Sequence, residues 1–293
     1  NDTYADDLQK EKWMQYVFFN QWQQLKNYCN ASGIKLFGDL PFYISYDSVD
    51  VWCHPEIFSL NRKMEMAVMA GVPPDYFNAD GQLWGMPVYA WNVLAKTNYA
   101  WWVNRVAHNL TMYDVLRFDH FRAFASYWAV PCGEQNAVNG KWMQGPGEKI
   151  FEAFARAFPT MPFVAEDLGD IDDAVCNLRD KFNLPGMKVL QFAFGDNASV
   201  SPHMPHNFTS HFVVYTGTHD NNTTCGWYAH DAHNTMKKRV ATYLGQPVSA
   251  RNVHIHLVAM AYASVAAIAI VPMQDILGLG RQARLNTPAG VRL

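Results

Sequence analysis

Leu116-Arg117-Phe118-Asp119-His120-Phe121-Arg122 is the stretch on which the fold turns. With Tyr113-Asp114-Val115 before it, the run reads as a buried strand, Tyr113–Leu116, that ends in a burst of charge. Side chains alternate along an extended strand, so Arg117 and Asp119, two apart, project from one face. An arginine beside a carboxylate favours its ionised form. An ionised aspartate at a strand end suits a nucleophile that attacks a sugar carbon. One Arg–Asp pair taken alone is more often structural than catalytic, so the surrounding chain has to decide.

Outward from Asp119 the same pattern recurs. Ile34-Lys35-Leu36-Phe37-Gly38-Asp39 and Phe163-Val164-Ala165-Glu166 are short apolar runs that end in an acid. Met187–Phe192 is a further apolar run, Phe212–Thr218 leads to His219-Asp220-Asn221, and Ala267–Pro272 leads to Gln274-Asp275. Helical spacing separates the runs, over Trp13–Cys29, Tyr99–Leu110, Glu148–Phe158, Ala174–Phe182 and Ala250–Ser264. Runs apolar on both faces are what parallel strands require. Acids at their C-terminal ends (Asp39, Asp119, Glu166, Asp220, Asp275) lie where a (β/α)8 barrel carries its active site. The expected fold class is therefore α/β, a TIM-type (β/α)8 barrel. A doubly wound open sheet would need a glycine-rich phosphate turn, and the sequence has none. From Tyr43 to Asn98 the chain turns irregular, rich in Pro, Gly, Asp and aromatics. An excursion of that length usually serves function. One catalytic domain over residues 1–293 is expected, with an insertion at about 43–98 covering the substrate. A loop from Pro131 to Gly147 is expected to lead into the Glu148 helix.

Composition narrows the partners. At 49% hydrophobic and 17% charged, the chain can bury a core and is not a disordered sequence. A net charge of -3 gives no electrostatic case for nucleic acid or an anionic membrane. The longest apolar run, Val258–Val271, is broken by Tyr262 and Ser264 and falls short of the roughly 20 residues that a spanning helix needs. Five well-separated cysteines (Cys29, Cys53, Cys132, Cys176, Cys225) show no CxxC spacing, which argues for reduced thiols in a cytoplasmic protein. No HExxH or other tight ligand spacing argues for a metal, and no cofactor is expected.

Three acids then carry the chemistry. Retaining glycoside chemistry needs a carboxylate nucleophile and a second carboxylic acid about 5–5.5 Å away that protonates the leaving oxygen. Asp119, beside Arg117, suits the first role. Glu166 follows Phe163-Val164-Ala165, where desolvation would raise its pKa and suit it to the acid role. Asp220, beside His219, could hold sugar hydroxyls that tighten in the transition state. For any one acid a helix cap or a solvated loop is the commoner explanation; three at three strand ends are less easily dismissed.

Long stretches of the chain resemble one family. They include Gly38-Asp39-Leu40-Pro41, Tyr46-Asp47-Ser48, Ala70-Gly71-Val72-Pro73-Pro74-Asp75-Tyr76-Phe77, Gly81-Gln82-Leu83-Trp84-Gly85, Arg117-Phe118-Asp119-His120-Phe121-Arg122, Ala165-Glu166-Asp167-Leu168-Gly169, Leu184-Pro185-Gly186-Met187-Lys188-Val189-Leu190-Gln191-Phe192 and Tyr215-Thr216-Gly217-Thr218-His219-Asp220-Asn221. In these the chain resembles the 4-α-glucanotransferases called amylomaltases, or disproportionating enzymes, of the α-amylase superfamily. The resemblance implies Asp119 as nucleophile, Glu166 as general acid/base and Asp220 as transition-state stabiliser. It implies sugar-binding roles for Asp39, Arg117, His120 and His219, and a loop with Gln82 and Trp84 folded over the donor. The implied partners are an α-1,4-glucan donor and a glucose or maltooligosaccharide acceptor. Met86 stands where the family pattern has Asn, Ala123 replaces a Gly, and Cys53-His54-Pro55 and Phe194-Gly195-Asp196 also differ. Two barrel strands are expected before residue 1 and a Gly-Asn-Trp segment after Pro288, so the chain reads as a fragment with about six of eight strands. An α-amylase-type hydrolase shares the three acids and is the rival enzyme; an inactive glycan-binding fragment is the rival of another class.

Overall fold

The computed structural model of the chain describes residues 4–74 and 78–288. It divides into two units, one up to Leu184 and one from Pro185 onward. In the first, helix α1 (Ala5–Ala31) leads to strand β1 (Phe37–Leu40), then α2 (Val49–Cys53), β2 (Val68–Val72), β3 (Gln82–Pro87), α3 (Trp91–Lys96) and α4 (Ala100–Met112). Strands β4 (Val115–Phe118), β5 (Ser126–Pro131) and β6 (Lys141–Gln144) follow, then α5 (Glu148–Ala157), β7 (Phe163–Ala165) and α6 (Asp173–Lys181).

Strands β1, β4 and β7 form a parallel sheet with β4 in the centre, Asp39 opposite Arg117 and Phe118 opposite Ala165. Leu116, Arg117 and Phe118 are all buried. The Phe118 ring meets Phe163 at 4.8 Å and stacks on Phe154 of α5 at 5.6 Å. Removing each such ring from water contributes about 2–3 kcal/mol. Gly38 lets β1 lie against the Tyr113 ring, which a Cβ would meet at 2.4 Å.

The central strand starts two residues later than its sequence indicates. The Asp114 carboxylate accepts from the Leu36 N–H at 2.7 Å and from Asn30 at 2.9 Å, and Lys26 stands 3.7 Å away. These contacts bind Asp114 into a turn against the end of α1, so the ladder begins at Val115 and takes in Arg117. Helix α1 is also longer than its periodicity indicates, and none of its residues is buried. It is tied to the unit largely through polar contacts, among them Trp22 Nε1 donating to Met112 O at 2.8 Å.

The stretch from Tyr43 to Asn98 is not irregular throughout. It supplies β2 and β3 to an antiparallel sheet of order β3-β2-β5-β6. The segment read as a Pro/Gly loop supplies β6, hairpinned onto β5. These strands hide from a sequence reading because β2 finds β5 almost sixty positions on, and Gly71 and Pro131 interrupt their patterns. Tyr76 and Phe77 lie outside the described residues.

The second unit holds β8 (Gly186–Val189), β9 (Phe212–Tyr215) and β10 (Ile268–Ile270) in a parallel sheet of order β10-β9-β8. A short α7 (Thr224–Gly226), α8 (Asn234–Leu244) and α9 (Val253–Ala263) lie between the second and third. All six apolar runs thus form parallel strands, in two sheets of three. The run to Phe192 stops pairing at Val189, and Leu190–Phe192 turns as a 3-10 helix held by Gln191 Nε2 on Asn222 O at 2.9 Å. Helix α9 starts three residues late because Asn252 Oδ1 accepts from Ser249 N–H and Oγ and closes a turn there. Helix α8, not foreseen, was legible in Met236, Val240 and Leu244 at four-residue spacing with Gly245 as a left-handed cap.

Candidate active site

Arg117 is the hub of the first unit's polar cluster. Its Nη1 donates to both carboxylate oxygens of Asp39, at 2.7 and 2.8 Å, and stands 2.9 Å from Asp119 Oδ1. Burial disfavours the Arg117 charge, but Asp39, Asp119 and Glu166 outweigh it and raise its pKa. The stem is buried while both aspartates stay partly open to solvent.

Strand register sets the two carboxylates side by side. Asp119 directly follows β4, and its N–H donates to Leu40 O of β1 at 3.1 Å. Glu166 directly follows β7, and its N–H donates to Phe118 O at 3.1 Å. The pair is one step beyond Phe118–Ala165, on neighbouring strands whose backbones run about 4.8 Å apart. Burial raises the Glu166 pKa to about 7; Asp119 pushes the same way, while Arg117 and the N–H groups of Leu168 and His120 oppose it. The two amides donate at 2.9 and 2.8 Å.

His120 adopts a left-handed backbone, φ 48°, uncommon for a residue with a side chain. The 3-10 turn Phe121–Phe124, buried throughout, and Phe121 N–H on Glu166 O at 3.2 Å hold it there. Burial, with help from Arg122, lowers the His120 pKa to about 3, so the ring is neutral. Its Nε2 is buried with no partner among the described residues. Trp84 of β3 stands edge-on to that ring at 4.9 Å, and its Nε1 donates to Gln82 Oε1 at 3.1 Å. Asp39, Gln82, Trp84, Arg117, Asp119, His120 and Glu166 are thus linked by contact in one unit.

Asp220 and His219 sit in the second unit, in the turn after β9. His219 Nε2 lies 3.4 Å from Asp220 Oδ2, Asn286 donates to Asp220 Oδ1 at 2.9 Å, and Arg284 donates to Asp220 O at 3.0 Å. Asp275, another acid that follows a strand, has a different setting. It is buried and accepts from Thr216 Oγ1 at 2.5 Å and from Thr224 N–H and Oγ1 at 2.7 and 2.6 Å. It pins the end of β9 to α7 and is structural.

Several neighbours went unnoticed in the sequence. Arg122, buried, donates to Asp170 O and to Ser126 and Asp172 at 3.2 and 3.4 Å, with Trp142 over its guanidinium at 4.0 Å. It braces the turn that carries His120. Tyr43 packs against Trp84 at 5.9 Å and His120 at 6.2 Å. Arg122 lay within the quoted motif, whereas nothing local marks Tyr43, Arg284 or Asn286. Among the described residues no three His, Cys, Asp or Glu cluster as a metal site would require, and no helix is long and apolar enough to cross a membrane.

Comparison with known proteins shows the family of the chain. The family profile described as 4-alpha-glucanotransferase matches residues 1–292. A 4-alpha-glucanotransferase of Synechocystis sp. is 49% identical over 290 residues, which cover 98% of this chain and 57% of that protein. One of Aquifex aeolicus is 46% identical, covering 94% and 56%. The solved amylomaltase from Streptococcus agalactiae in complex with acarbose superposes with a TM-score of 0.90 at 37% identity, over 95% of this chain and 56% of that one. The chain therefore spans a little over half the length of the relatives it matches. On the profile, the identities and the shared fold, the chain belongs to the 4-alpha-glucanotransferase family.

Proposed function

We propose that the protein transfers α-1,4-glucan segments between maltooligosaccharide or starch-type chains by a retaining double displacement. One observation carries the reading: two neighbouring carboxylates sit in different environments, Asp119 on the Arg117 cation and Glu166 buried and raised to about 7. That division is what a nucleophile and a proton donor require. Asp119 Oδ attacks the anomeric carbon as Glu166 gives its proton to the departing glycosidic oxygen. The glycosyl ester on Asp119 then meets the 4-hydroxyl of an acceptor sugar, whose proton returns to Glu166, and the ester bond breaks. Retention rests on the family resemblance, supported by the two residues' positions one step beyond a register pair on adjacent parallel strands.

Asp220 takes the role of transition-state stabiliser in this scheme. Its support is the resemblance and its position after a parallel strand, as with Asp119 and Glu166. Asp39, Arg117, His120 and His219 are assigned to sugar hydroxyls, and Gln82 and Trp84 to the donor chain. The six parallel strands belong, on this reading, to one (β/α)8 barrel domain with a substrate-covering insertion. The donor is an α-1,4-glucan and the acceptor glucose or a maltooligosaccharide; free cysteines fit a cytoplasmic setting.

Given maltotriose, the whole protein is expected to release glucose and build longer oligosaccharides, with little net gain in reducing ends. Reducing ends that rise in step with product would establish hydrolysis instead. Binding of amylose without turnover would establish a glycan binder.

A further inference from the structure

The first unit contains a cavity of about 390 Å3 between α3, the sheet strands β5 and β6, and the residue Ser59. Its size lies within the range of small-ligand pockets. Trp91 and Tyr127 supply ring surface, and Ser59, Asn92, Lys141 and Gln144 supply polar groups. The side chains of Ser59, Asn92, Tyr127 and Lys141 have no hydrogen-bond or ion-pair partner among the described residues. Gln144 spends one amide N–H on Ala125 O at 3.1 Å, which leaves its carbonyl available. Trp91 Nε1 is buried without a partner among the described residues. The lining does not include Arg117, Asp119 or Glu166.

We propose that this cavity is a second saccharide site, taking one or two glucose units of an α-1,4-glucan. Two hydroxyls and two amides beside aromatic rings are a lining for a neutral, polyhydroxylated ligand with an apolar ring face. A single cation, Lys141, with no second one to oppose an anion's charge, disfavours phosphate. The cavity wall is joined to the acid cluster by rings: Tyr89 of the wall stacks on Tyr43 at 6.2 Å, and Tyr43 abuts Trp84 at 5.9 Å. A polymeric glucan held at both places gains from the raised effective concentration, whereas a short one does not. The polymer argument rests on the transferase reading; the cavity's preference for a neutral sugar does not.

The test is calorimetric titration of maltotriose into the whole protein with Asp119→Asn, so that the ligand is not consumed. Two classes of site are expected. Asn92→Ala with Lys141→Ala should weaken one class about tenfold or more, in keeping with one to two lost hydrogen bonds. Both residues are exposed, so the thermal midpoint should stay put. Trp84→Ala should weaken the other class only. In the otherwise wild-type enzyme, the double variant should raise KM for amylose and leave maltotriose transfer unchanged. A single class of site, a titration untouched by the double variant, or displacement of the sugar by inorganic phosphate overturns the proposal. Two classes that both keep full affinity in Trp84→Ala, one of them still weakened by the double variant, would count against the transferase reading alone.

Discussion

The backbone N–H of His120 donates to Glu166 Oε2 at 2.8 Å, so the residue after Asp119 holds the neighbouring carboxylate. The left-handed turn at His120 aims that N–H across the strand gap, and Arg122 braces the turn from behind. One short segment therefore fixes the relative position of both proposed reacting groups.

Asp119→Asn should lower transfer between maltooligosaccharides by roughly 10^4-fold or more, because an amide cannot form the glycosyl ester. Folding should be little affected, since Arg117 keeps its two hydrogen bonds to Asp39. Product analysis with maltotriose, beside a thermal melt, checks both halves.

Glu166 makes stability depend on pH in a stated direction. Its folded pKa of about 7 lies above the ordinary 4.5, so the native state holds a proton there that the unfolded chain has lost. Stability from this group is present below about 4.5 and declines as pH rises through about 7. His120, lowered to about 3, and His203, lowered to about 4, act oppositely below their ordinary values. Only the difference between Glu166→Gln and wild type isolates the glutamate. The variant should gain on wild type with rising pH, by up to about 3 kcal/mol above neutrality. Melts from pH 4.5 to 8 that run parallel would contradict this.

The same glutamate sets the activity profile. Glycosylation needs its proton, so turnover of natural glucans should fall on a basic limb near 7. Glu166→Gln should lose that limb, yet still glycosylate donors whose leaving group needs no protonation. Burst kinetics with an aryl maltoside reads that first step directly.

Trp84→Ala should cut transfer about ten- to a hundredfold while costing about 1–2 kcal/mol in stability, because the ring is only half-buried where it meets His120 and Tyr43. Equal losses in urea midpoint and activity would make Trp84 a packing residue.

Asp275→Ala should destabilise strongly, by about 2–4 kcal/mol, since three donors from Thr216 and Thr224 would be left buried and unpaired. Urea titration of the purified variant measures it. A neutral outcome would mean that water replaces the carboxylate.

The sequence by itself determined the six parallel strands and the acids directly after two of them, Asp119 and Glu166. Largely apolar runs of three to six residues between helices leave few other ways to bury their faces. It also marked Arg117 beside Asp119, because a two-residue offset is a local property of an extended chain. Tertiary structure decided what these residues meet. Arg117 is shared with Asp39 across 78 positions of chain, Glu166 owes its raised pKa to burial, and Asp275, alike in sequence, became a structural acceptor. The antiparallel sheet was likewise hidden until β2 met β5. Pairing partners and desolvation depend on which distant segments close over a residue, and no local pattern encodes that.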